Sequence, residues 1–335
     1  MKQRIEFIDL AKGICISLVV LLHVYGDLSG TVIKIMNLFR MPLYFVLSGL
    51  FFKTYDGFFP FFKKKTNRLL IPFLFTFFAI IIPAGCLLTL KDGTPITLSS
   101  LVYQGEGKLN LGIDGAAWFL LCLFAVNIYF YLIFLISRQN IVGITLLTCL
   151  CGIAGFMLNH FNYYLPMWFD SALTAMPFFL IGYVLRNYSS ILYSTMSGKD
   201  SLSCGLSFLL LLAVYFYDEW QGTGIIAYGE NMFDISLPSL YLGGICGTYC
   251  VLMVSKYFKS IPGVSYIGRY SIVVLLTHLI YLFIFRNVFF QLNIPQEDYL
   301  LNFLVFIAIM LLEIPTIKLC IEHLPYFFAQ KDLWK

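Results

Sequence analysis

The chain has 335 residues, of which 60% are hydrophobic and only 12% charged, with a mean hydropathy of +0.84. Ordinary globular proteins are about 45–50% apolar and about 25% charged, so a soluble enzyme, a disordered polymer and a small disulfide scaffold are all excluded. The net charge of +4 brings no basic run interleaved with aromatics beyond Lys63-Lys64-Lys65, and nucleic acid is not an expected partner.

A bilayer core about 30 Å thick needs about 20 apolar helical residues. Ten segments qualify: Phe7–Tyr25, Met36–Phe52, Leu69–Leu90, Ala116–Ser137, Ile141–Leu158, Met167–Leu185, Leu202–Tyr217, Ile235–Ser255, Ile267–Phe290 and Tyr299–Ile321. The second and seventh are short for a span. The expected fold is therefore an all-α integral membrane protein of about ten transmembrane helices, read as one domain over residues 1–335. Asp9 and Lys12 interrupt what would otherwise be a signal-peptide core, and no small-residue cleavage site follows Tyr25, so the first segment is expected to stay as a helix. Placing the N-terminus in the cytoplasm puts every Lys and Arg on the inner side except Lys34, Arg40, Lys91, Lys108 and Arg286, the bias expected of cytoplasmic loops. Both termini are then cytoplasmic. The loops Lys91–Gly115 and Asp218–Asp234 are the longest outer ones and are candidates for covering an outward-facing acceptor site. The nine cysteines fall almost wholly in apolar stretches without CxxC spacing, and no metal site is indicated.

Titratable groups inside spans cost about 2.5–3.5 kcal/mol each on insertion scales, and so mark candidate functional positions. In the first span Lys12 and His23 are 11 residues apart, within about 20° of three full helical turns and about 16 Å along the axis. They share one face, with Lys12 near the cytoplasmic mouth and His23 deeper. Asp9 lies one turn before Lys12, within pairing distance. The bland reading is that Lys12 snorkels to the interface and His23 ends the helix. The functional reading is a track from the cytosol to a buried imidazole, with Lys12 attracting a phosphate-bearing donor and His23 acting as general base.

Arg40, just before Pro42, opens the second span from the outer side, and Ser48-Gly49 permits close helix approach or presents a hydroxyl to a ligand. Arg68 closes the basic inner loop. Trp118 opens the fourth span, where an interfacial Trp is commonly an anchor. His278 is the most deeply placed titratable group, with Arg286 about 80° further round the same helix, and Glu313 lies in the last span. His160 and His323 fall at span ends and read as interfacial.

These stretches resemble the membrane-bound acyltransferase 3 family, and within it the bacterial polysaccharide and fucose O-acetyltransferase branch. The Arg4–His23 run is similar to the family's basic residue, ten residues, histidine pattern. Phe39–Gly49 resembles its MPLFFFLSG motif, and Trp118-Phe119-Leu120 and Thr277-His278 resemble its WFL and late histidine signatures. Lys12 stands where many members carry Arg, which keeps the charge without the bidentate fork. The resemblance implies acetyl-CoA as cytoplasmic acyl donor, a carbohydrate hydroxyl as acceptor, and a multi-pass place in the bacterial cytoplasmic (inner) membrane. It implies His23, Lys12 and His278 as catalytic candidates, and Asp9, Arg40, Ser48, Arg68 and Trp118 as binding candidates. A transporter or flippase for a lipid-linked sugar or small anion is the alternative that ten spans with scattered charges also allow. No paired inverted halves with broken helices speak for it.

Overall fold

The computed structural model describes residues 5–26, 30–81, 115–189, 192–222, 224, 226–295 and 298–335. Among these, nine helices are long and apolar enough to cross a membrane. They include α1 (Glu6–Tyr25), α2 (Thr31–Gly49), α5 (Trp118–Ile136), α6 (Ile141–His160), α7 (Phe169–Tyr188) and α8 (Gly198–Trp220). The others are α9 (Leu237–Phe258), α11 (Ser271–Gln291) and α12 (Tyr299–His323). Short helices α3 (Phe58–Lys65), α4 (Ile71–Thr76) and α10 (Pro262–Arg269) join them, with π-helical turns at Thr66–Leu70 and Phe77–Ile81. The remainder of the expected third span, Leu69–Leu90, and nearly all of the loop Lys91–Gly115 lie outside the described residues.

The chain is helical because backbone N–H and C=O groups in hydrocarbon must be satisfied within the segment. The first two helices sit at the centre. α1 packs against α2, α9, α10, α11 and α12, while α2 packs against α1, α7 and α9. Small residues make the tightest crossings. A Cβ on Gly49 would collide with the Phe179 carbonyl, and one on Gly182 would collide with the Val46 carbonyl, so α2 and α7 touch backbone to backbone. Gly13 and Gly268 do the same for α1 and α10. This close approach supplies dispersion contacts where lipid gives no hydrophobic drive between helices.

The second span corrects the expectation. The helix starts at Thr31 rather than at Met36, so Arg40 lies in its interior and Pro42 is not near its start. Lys34 interrupts the apolar pattern but is accommodated by an ion pair with Glu219 of α8, Nζ to Oε1 2.6 Å. The missing Pro42 N–H is tolerated because three neighbouring helices hold α2 in place. α8 is likewise longer than the expected Leu202–Tyr217, opening on a Ser197–Asp200 capping box.

At one end of the bundle, called outer after the sidedness expected from Lys and Arg placement, lies a two-stranded hairpin, β1 (Ile226–Ala227) and β2 (Met232–Phe233). Asn231 adopts the left-handed conformation (φ 49°) that Asn tolerates. Its buried side chain donates to the Gly155 carbonyl at 2.9 Å and accepts from the Thr174 hydroxyl at 2.8 Å. The hairpin is thereby fixed to α6 and α7. On the inner side residues 325–335 fold back over α3. Asn67 donates to the Trp334 carbonyl and accepts from its N–H, both at 2.8 Å, and the Lys64 ammonium donates to Asp332 at 2.7 Å.

Candidate active site

Two cavities lie back to back in the core. The inner one, about 490 Å³, is lined by Lys12 of α1, Ser48 and Phe51 at the inner end of α2, Lys64, Lys65 and Arg68 around α3, and Asn127 of α5. The outer one, about 260 Å³, is lined by His23 of α1, Asn37 and Arg40 of α2, Trp118 of α5, and Tyr228 and Glu230 of the hairpin region. Tyr44, Phe119 and Leu275 line both. They form a common wall of three side chains, in which the Tyr44 and Phe119 rings lie 5.2 Å apart.

The helical spacing of Lys12 and His23 thus places one in each cavity. Lys12 Nζ lies 4.4 Å from the centre of the Phe51 ring, a cation–π contact. Ser48 donates its hydroxyl to the Tyr44 carbonyl at 2.8 Å within its own helix. Arg68 donates to the Ala329 carbonyl and lies 3.8 Å from Asp332. On α3, ahead of the membrane-crossing stretch, burial pushes the Lys65 ammonium down to about 8. Trp118 rests against Gly229, where an added Cβ would stand 2.9 Å from the indole. Asp9 is one turn before Lys12 on α1 and is not among the residues lining either cavity.

His278 lines neither cavity. It is fully buried on α11 and meets His23 directly, His23 Nδ1 to His278 Nε2 2.8 Å, with the two rings nearly coplanar at 15°. The hydrogen bonds fix the tautomers. His278 Nδ1 lies 2.6 Å from the Val274 carbonyl, which can only accept, so Nδ1 carries the proton. In the neutral ring Nε2 then holds the lone pair and accepts from His23 Nδ1–H. His23 is left with its lone pair on Nε2, the atom a general base needs.

The structure brings His23, His278, Arg40 and Trp118 together on the outer side, and Lys12, Ser48 and Arg68 on the inner side. Sequence reasoning missed Asn37, Tyr44, Asn127 and Glu230. Asn127 carried a usable signal, a polar side chain in a span. It is buried, donates to the Leu123 carbonyl at 2.7 Å, and has no partner for Oδ1 among the described residues. Arg286 has a structural role, with Nη2 donating at 2.5 Å to the Val24 carbonyl at the C-terminal end of α1. His160 and His323 are exposed at the ends of α6 and α12, as expected of interfacial groups.

A family model described as an acyltransferase domain, that of acyltransferase 3, matches residues 5–315. No curated protein and no solved structure matches the chain.

Proposed function

The chain belongs to the acyltransferase 3 family and is a membrane acyltransferase, and from that premise we propose that it moves an acetyl group from cytoplasmic acetyl-CoA to a carbohydrate hydroxyl presented from the outer side, with His23 as general base. The acceptor is a surface or capsular polysaccharide or its lipid-linked precursor, and the membrane is the bacterial inner membrane. One observation carries the reading. A cation-lined inner cavity and an imidazole-bearing outer cavity share a wall only one layer of side chains thick.

A CoA thioester cannot cross hydrocarbon with its phosphates. Lys12, Lys64, Lys65 and Arg68 hold them at the inner mouth, while the acyl arm extends past Asn127, whose free Oδ1 accepts an amide N–H of that arm. The thioester carbon reaches the shared wall, and the acceptor hydroxyl approaches from the other side. His23 Nε2 takes the hydroxyl proton as the oxygen attacks the carbonyl carbon. The C–O bond forms, the C–S bond breaks, and the same proton passes to the departing thiolate. The products are an acetyl ester and free CoA, with no net proton released.

The test uses the purified protein in proteoliposomes with radiolabelled acetyl-CoA and glycan acceptor. Covalent label on the glycan is expected with the wild type and none with His23→Ala, which inserts normally. Label transfer by His23→Ala removes His23 from the mechanism, and glycan movement without label favours a carrier.

A further inference from the structure

Two charged side chains, Arg40 and Glu230, line the outer cavity, and among the described residues Arg40 forms no ion pair. Arg40 is held in the interior of α2, and among the described residues neither its Nε nor its Nη1 has a hydrogen-bond partner, although both are buried. The ion pairs Lys34–Glu219, Lys64–Asp332 and Arg68–Asp332 do not include it. The Cys15 thiol donates to its backbone carbonyl at 3.3 Å but carries no charge to offset the guanidinium. Arg286, by contrast, spends its guanidinium on a helix-end carbonyl. A partly buried cation with two buried, idle N–H groups is costly, and the cost is recovered if an anion arrives there.

One helical turn further along α2 lies Tyr44, whose buried hydroxyl is set against the Ser271 side chain and makes no hydrogen bond of ordinary geometry among the described residues. Residues at i and i+4 share a helix face. Arg40 faces the cavity that holds His23, and Tyr44 belongs to the wall between the two cavities. The idle Arg40 donors and the Tyr44 hydroxyl therefore lie between the base and the place where a thioester carbonyl must emerge.

We propose that Arg40, assisted by Tyr44, forms the oxyanion hole of acyl transfer. The assignment rests on the acyl-transfer reading above. When the acceptor oxygen bonds to the carbonyl carbon and its proton moves to His23 Nε2, the carbonyl π pair shifts onto oxygen. The Arg40 N–H and Tyr44 O–H donate to that oxygen, and the pair returns as the C–S bond breaks. Donors fixed in a dry site before the charge develops are the most effective arrangement for such an ion.

Wild type, His23→Ala, Arg40→Gln, Arg40→Lys and Tyr44→Phe are compared in proteoliposomes. The readout is thiol release from acetyl-CoA with a methyl hexoside as acceptor. Arg40→Gln is expected to lower kcat about 10²–10³-fold, the scale for losing one oxyanion-hole donor, with both KM values within about threefold. Arg40→Lys recovers part of the loss. Retained kcat in Arg40→Gln, or a loss confined to the acceptor KM, overturns the assignment and makes Arg40 a ground-state anchor. Should Arg40→Gln fail to fold, Tyr44→Phe, which removes a single oxygen, is expected to lower kcat roughly tenfold at constant KM. An unchanged kcat there overturns the two-donor hole. A wild type no faster than His23→Ala overturns the acyl-transfer reading itself.

Discussion

At the scale of single residues, the hydrogen bonds around His278 decide which nitrogen of His23 keeps the lone pair that the proposed general base needs. A side chain at 278 that can still accept from His23 Nδ1–H keeps the lone pair on Nε2, and one that cannot lets the tautomer drift. His278→Gln is therefore expected to keep kcat within about tenfold of wild type, while His278→Leu loses about 10²–10³-fold, within the range of general-base catalysis. Steady-state kinetics on the two variants, with thermal unfolding in detergent to confirm the fold, checks this. The Lys12–His23 relation was legible in the sequence because both lie on one helix, where spacing fixes direction. The His23–His278 contact was not, since it joins residues 255 apart along the chain and helical periodicity says nothing about which faces of separate helices meet. His278 stood out only as a titratable group in a span.

At the scale of elements, α2 carries the site, and its position depends on contact between glycine backbones. Gly182→Leu drives a side chain into the Val46 carbonyl and must push α7 away from α2. Overpacking of this kind costs typically ~1–3 kcal/mol and sometimes more. A lower thermal unfolding midpoint is expected, together with loss of activity well beyond the lost folded fraction, because the Arg40–Tyr44 face shifts with the helix. Gly182→Ala is the milder comparison. The helices themselves were readable from apolar run length. The start of α2 was misjudged because Lys34 breaks the apolar run ahead of Met36, and its ion pair with Glu219 rather than propensity keeps that turn helical. The hairpin around Asn231 had no pattern to announce it. Its strands are two residues each, and it is held by side-chain hydrogen bonds to distant helices.

For the whole molecule, the division into an inner cationic chamber and an outer chamber with the imidazole makes donor binding and chemistry separately tunable in the proposed reaction. Lys65, which burial holds near 8, is charged below that value and neutral above it. One of the cations flanking Lys12, Lys64 and Arg68 is thus lost as pH rises. The KM for acetyl-CoA is expected to increase roughly three- to tenfold between pH 7 and 9, the scale of one screened charge pair. Lys65→Arg, whose guanidinium stays protonated, should flatten that limb. A pH titration of donor KM in both proteins checks the expectation. The folded-back segment 325–335 bears on how the inner mouth is held. The inner mouth is shaped by Lys12 near the beginning of the sequence, by Lys64 and Arg68, and by Asp332 and Trp334 some 270 positions later. Removing residues 325–335 takes away the hydrogen bonds that hold Lys64, Asn67 and Arg68 in place. The grip on the donor of the proposed reaction should weaken with it, while the helices still insert.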